Sequence, residues 1–287
     1  MPEQLQHYEV GNVSITQVVE RVTAVPRDAI VPDITDHHLD TAPWTAPYFT
    51  DDGRLLLSNH TFVVRSDDTV IVVDTCVGTA LPRPLPGDDT FLDRLRNAID
   101  GGLDAVDVVL CTHLHFDHVG WNTVRVDDRW VPTFPNARYL IAATELDHVR
   151  RDDHMGVLEP SVQPLLDAGL VDAVATDHRV TSEVRLLPTP GHTPGHVSVT
   201  IESAGRRATI TGDAVHSPLQ FTYPELAASR FDHDSMQSTE TRRALIEAHA
   251  DVDVLVLGTH FAPPAAGHLH TVDGTVRFLG QATPPAG

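Results

Sequence analysis

Four residues able to bind a metal fall within six positions: His113, His115, Asp117 and His118, in the run His113-Leu114-His115-Phe116-Asp117-His118. In an extended segment residues two apart point to one side, so His113 and His115 can grip one ion together. A turn beginning near Asp117 aims Asp117 and His118 at a second position a few ångströms away. Imidazole with carboxylate suits Zn²⁺ best, with Fe or Mn as alternatives. Three further clusters follow. PTPGHTPGHVS carries His192 and His196 in a Gly/Pro-rich loop, TGDAVHS carries Asp213 and His216, and LGTHF carries His260.

Each cluster comes directly after an apolar run that reads as a strand, where loops can converge while the sheets hold them still. Residues 59–65 and 69–75 are β-branched and separated by Ser-Asp-Asp, which predicts a hairpin. Residues 105–111 form the apolar strand that leads into the His113 cluster. Further strands are expected at 137–142, 184–187, 197–202, 207–211 and 252–257. Phe91, Leu92, Leu95 and Ile99 share one face of a helix over 90–100, with Asp89 or Thr90 as its N-cap and Gly101 as its stop. Other helices are expected near 144–151 and 236–249. Residues 1 to about 55 show little periodicity and read as one or two strands plus a long surface segment.

Strands and helices intermix with no low-complexity linker, so the class is α/β, in one domain spanning 1–287. Within it, 1–55 is an N-terminal extension expected to help wall the active site. Hydrophobic residues make up 41% and charged residues 21%, the balance of a globular chain. The net charge is −20 and every basic residue is Arg. Such a field repels phosphate backbones and anionic lipid, so neither nucleic acid nor a membrane is an expected partner. No apolar run approaches the roughly 18 residues of a membrane span. The opening MPEQLQHYEV lacks the basic and apolar regions of a signal peptide, which makes the cytoplasm the expected location. Cys76 and Cys111 lack CxxC spacing and read as core residues.

The order and form of the four clusters resemble the metallo-β-lactamase superfamily of hydrolases over about residues 58–262. The resemblance implies a four-layer αβ/βα sandwich with two divalent metal ions at one edge. His113, His115 and His192 would hold the first ion, Asp117, His118 and His260 the second, and Asp213 would bridge them. A hydroxide between the metals would be the nucleophile, and Asp117 would relay a proton to the leaving group. His196 is expected to orient its neighbours rather than ligate.

Departures from the superfamily's branches narrow the reaction. Zinc β-lactamases of the best-known type carry Cys at the bridging position, where this chain has Asp213. Flavodiiron oxidoreductases carry Glu where His115 stands. N-acyl homoserine lactonases share the ligand set but place Tyr three residues after the bridging Asp, where His216 stands. The stretch GDAVHSPLQF resembles the corresponding region of methyl parathion hydrolase and its relatives. The expected substrate is therefore a small neutral ester, lactone or phosphotriester, with His216 catalytic beside Asp117. Trp121, Phe221, Tyr223 and Phe231 are candidates for the apolar pocket wall. The alternative on the same fold is a persulfide dioxygenase with one iron on His113, His192 and Asp213. A homodimer is the assembly to test.

Overall fold

The computed structural model describes residues 5–79, 88, 90–228 and 230–281. Strands β1 (Leu5–Val10) and β2 (Val13–Val25) form a hairpin, and β2 pairs with β3 (Leu55–Ser66). β3 turns through Asp67, in the left-handed region at φ 52°, into β4 (Thr69–Val73), as the Ser-Asp-Asp signal predicts. β5 (Val108–Leu110) lies parallel to β4. β6 (Thr123–Val126) and β7 (Arg129–Pro132) make a separate hairpin, and β8 (Arg138–Ala142) and β9 (Val171–Val174) extend the first sheet to the order β1-β2-β3-β4-β5-β8-β9.

The second sheet runs in chain order through β10 (Val184–Pro188), β11 (Val197–Ser203), β12 (Arg206–Ile210), β13 (Leu255–Leu257), β14 (Ala266–Val272) and β15 (Thr275–Gly280). β12 and β13 are parallel because the helix Ser235–His249 carries the chain back between them. Asp234 caps that helix, accepting from the amides of Met236 and Gln237.

Side-chain alternation assigns the layers. Ile71 and Leu110 point between the sheets, where they meet Leu186, Val199, Ile210 and Leu257. Their neighbours Val72 and Val109 point outward to Phe91 and Leu95 of the helix Phe91–Ala98 and to Leu146 and Val149 of the helix Ala143–Arg151. On the far side, Val256 and Leu269 pack on Leu245 of the helix Ser235–His249. Helix, sheet, sheet and helix make the four-layer sandwich.

The strand expected at 105–111 is shorter, because Gly101 at φ 85° stops the preceding helix and Gly102–Ala105 form a 3₁₀ turn. Thr90 stands at the N-cap without a side-chain cap bond, and Asp89 lies outside the described residues. The strand expected at 252–257 begins at Leu255. Cys76 and Cys111 are buried free thiols, and burial pushes Cys111 up to about 12. No helix among the described residues is long and apolar enough to cross a membrane.

Candidate metal centre

All four clusters arrive at one end of the seam between the sheets. His113 and His115 lie on the segment leaving β5, and His115 is the N-cap of the one-turn helix Phe116–Val119 that carries Asp117 and His118. His192 lies on the loop between β10 and β11. Asp213 sits in the 3₁₀ turn Gly212–Ala214 after β12, and His260 follows β13. Gly212 is at φ 55°, and a Cβ there would lie 2.5 Å from His196 Nε2, so only glycine fits this turn.

Asp213 is the hub. Its Oδ1 lies 3.2 Å from His118 Nε2 and 3.1 Å from His260 Nε2. Its Oδ2 lies 3.1 Å from the same His260 Nε2, 3.4 Å from His192 Nε2, 3.2 Å from His216 Nε2 and 3.8 Å from His113 Nε2. Ligand atoms of His113, His115 and His192 lie within 4.8 Å of one another, as do those of Asp117, His118 and His260. Two further groups of the same kind join His113, His118 and Asp213, and His192, Asp213 and His216. His113 Nε2, His118 Nε2 and Asp213 Oδ1 are buried without a hydrogen-bond partner of good geometry. Buried polar atoms left in this way cost free energy unless another partner takes them, and a cation is the partner that suits nitrogen lone pairs facing carboxylate oxygens.

The electrostatics differ within the cluster. Burial, reinforced by the neighbouring imidazoles, holds His113 and His115 well below the ordinary histidine value, which leaves them neutral. Burial acts the same way on His118, but Asp213, Asp117 and Asp74 outweigh it and lift His118 well above that value. Burial would raise Asp213, yet His118, His260 and His216 hold it well below the carboxylate range.

Several orienting groups were not legible in the sequence. Asp74 Oδ2 lies 2.8 Å from His118 Nδ1, while the same carboxylate accepts from the Thr112 amide and hydroxyl, each at 2.8 Å. Asp232 Oδ1 lies 3.0 Å from His192 Nδ1, and Asn59 donates to Asp117 Oδ2 at 3.2 Å. The Ser58 carbonyl lies 3.0 Å from His260 Nδ1. His196 accepts from the Asp213 amide at 2.8 Å and so orients the turn. The one available signal was Asp74 itself, an acid ending the apolar run Val70–Val73.

Residues 54–260 match the Metallo-beta-lactamase superfamily. The chain belongs to that superfamily. An N-acyl homoserine lactonase of Bacillus thuringiensis is 32% identical over 168 residues, covering 53% of this chain and 61% of the relative. Another from Bacillus sp is 27% identical over 168 residues, covering 58% and 60%. The chain thus spans about three fifths of the length of these curated relatives. The crystal structure of the hydrolase AbOPH of the beta lactamase superfamily matches with a TM-score of 0.82 at 23% identity, covering 98% of this chain and 99% of that one. AidC, described as a dizinc quorum-quenching lactonase, matches with a TM-score of 0.79 at 19% identity, covering 97% of each. At these identities the two structures establish the fold.

In this superfamily member the cluster floors a cavity of about 330 Å³. Val25, Ile30, Leu57, Val77, Phe116 and Phe231 form apolar walls, with Arg21 and Asn59 as polar ones. A β-bulge between Val19 and Arg21 explains two inward-facing neighbours: Glu20 turns into the core, while Arg21, opposite Asn59, reaches the cavity. Of the four aromatics expected at the wall, Phe231 is there and three are elsewhere. Trp121 donates to Glu20 at 2.7 Å and stacks on Phe91 in the core. Phe221 packs between Phe261 and Phe278. Tyr223 contacts His38 and lies 2.8 Å from the Thr41 hydroxyl. Of residues 1–55, read as one or two strands plus a long surface segment, 5–25 supply two strands of the first sheet. A larger groove of about 720 Å³ between Arg185, Arg207 and His249 contains none of the candidate ligands.

Proposed function

We propose that this chain is a dinuclear metal-dependent hydrolase acting on a small neutral ester, lactone or phosphotriester. The observation that carries the reading is the convergence of two ligand groups on one carboxylate, Asp213, at the floor of an apolar cavity, with His118 Nε2 beside Oδ1, His192 Nε2 beside Oδ2 and His260 Nε2 3.1 Å from each oxygen. His113, His115 and His192 would hold one cation, Asp117, His118 and His260 the other, with Asp213 shared. Two such cations, zinc by donor type with iron or manganese as alternatives, supply an acidified water as nucleophile and Lewis acidity toward a carbonyl or phosphoryl oxygen. The names of the curated relatives favour a lactone among the substrate classes.

The protein's own groups do the rest. The walls from Val25 to Phe231 take the alkyl or aryl part of the substrate and exclude water, and the 1–55 extension contributes two of them. Asp117, half-buried at the cavity floor and fixed by Asn59, carries a proton toward the leaving group. His216 Nε2, 3.2 Å from Asp213 Oδ2, faces the cavity and donates a hydrogen bond to charge developing there. The mononuclear-iron alternative leaves Asp117, His118 and His260 without a task, and their grouping favours two ions.

Elemental analysis and a panel of lactones, aryl esters, phosphotriesters and β-lactams test the reading. About two zinc per chain and ester or lactone hydrolysis lost to a chelator are expected. One iron with oxygen consumption, or hydrolysis indifferent to the chelator, would overturn it.

A further inference from the structure

Glu145 stands in the first turn of the helix Ala143–Arg151, directly after β8, and its side chain is buried. Its two oxygens serve different loops. One accepts from the Leu114 amide at 3.0 Å and the other from the Gly195 amide at 3.0 Å. Leu114 lies between His113 and His115, and Gly195 lies between His192 and His196. The first loop leaves the first sheet and the second enters the other, so one carboxylate spans the seam where the imidazoles converge. The seat is close: a Cβ on Gly195 would lie 2.3 Å from the Glu145 amide nitrogen. Beside it, the Val197 amide donates to the Thr112 carbonyl at 3.0 Å and continues the same seam.

We propose that Glu145 is a positioning residue that sets the separation between the His113–His115 pair and His192, and thereby the affinity of that side of the site for a divalent cation. The inference rests on the metal-centre reading above. Zinc–imidazole bonds are about 2.0–2.1 Å long, so three imidazoles from two sheets can share an ion only if the loops are held in register. A carboxylate suits the task because it accepts on both oxygens and donates on neither. A carboxamide of the same shape places an N–H₂ against one of the two amides. One loop then loses its anchor while the other keeps it.

The full-length protein, stripped with a chelator, is titrated with Co²⁺ and followed by its visible absorption, with His115→Ala and His260→Ala identifying which step belongs to which side. Glu145→Gln is expected to weaken the His113–His115–His192 step by about 10- to 100-fold and leave the other within about threefold. Asp74→Asn, whose grip is on His118, should show the reverse. If Glu145→Gln is too unstable to titrate, Glu145→Asp, with both acceptors on a shorter stem, must show the same one-sided loss. Wild-type affinity at both steps, or proportional weakening of both, overturns the proposal alone. A wild-type protein that binds no Co²⁺ overturns the metal-centre reading, and this inference with it.

Discussion

On one side of Asp213 stand three imidazoles, His113, His115 and His192. On the other stand two imidazoles and a carboxylate, His118, His260 and Asp117. The first side is held by acids reaching in from neighbouring elements, with Asp232 on His192 and Glu145 on the two loop backbones. The second is held by Asp74 on His118 and by backbone and amide groups of β3 on His260 and Asp117. Their electrostatics diverge accordingly: burial keeps His113 and His115 neutral, whereas three carboxylates override burial at His118. The first side therefore presents neutral imidazoles, while on the second the carboxylates favour protonated His118 and His260.

Removing what both sides share should have the largest effect. Asp213→Ala is expected to lower turnover by more than about 1,000-fold, because several kcal/mol of transition-state stabilisation depend on the paired site. Metal content should fall with it, and elemental analysis beside kinetics checks this; two retained ions at a normal rate would end the comparison. His216→Ala tests whether a residue can matter without belonging to either side. It should keep both ions but lower kcat by about 10- to 1,000-fold, and His216→Tyr should restore part of the loss on lactones. Equal rates for His216→Ala and wild type on every substrate would reduce His216 to packing.

Smaller effects sharpen the contrast. Asp232→Asn should weaken one metal-binding step by about 10- to 100-fold with little effect on the step that Asp74→Asn weakens. Competition with a chromophoric chelator reads both, and indistinguishable profiles for the two variants would erase the distinction between the sides.

The smallest effect concerns His60, behind the second side. Its Nε2 donates to the Gly258 carbonyl at 3.1 Å, and its Nδ1 faces the Ser58 hydroxyl at 2.8 Å. Burial, aided by His260, holds it down at about 3 against an ordinary value of 6.5. The unfolded chain takes up this proton as pH falls below about 6.5, while the folded protein does so only near 3. Stability from this residue is therefore present above pH 6.5 and lost toward acid, by up to about 1.4 kcal/mol per pH unit. Denaturation of the metal-free protein between pH 7 and 4 should show the gap between wild type and His60→Gln shrinking as pH falls. A constant gap would count against a neutral buried imidazole.

The sequence legible here was of two kinds. Apolar runs ending in His or Asp exposed both the central strands and the seven candidate ligands, since a buried strand and a metal donor each demand particular residue types. Less was readable at the periphery. The hairpins β6–β7 and β14–β15 carry polar and glycine residues at partly exposed positions, as in GHLHTV, so their pairing depends on neighbours more than on pattern. Aromatic residues were similarly ambiguous: Trp121 and Phe231 have the same apolar character, and only packing sends one to the core and the other to the cavity.

By itself the sequence determined the superfamily, the sandwich class and the candidate donor set, because these follow from residue types recurring at fixed places relative to strands. Tertiary structure alone decided which acids hold which imidazoles. Asp74 and His118 are 44 residues apart, Asp232 and His192 are 40, and Glu145 joins loops on two sheets. No local pattern records such a pairing, since a carboxylate is drawn to an imidazole or an amide only after both have been buried side by side.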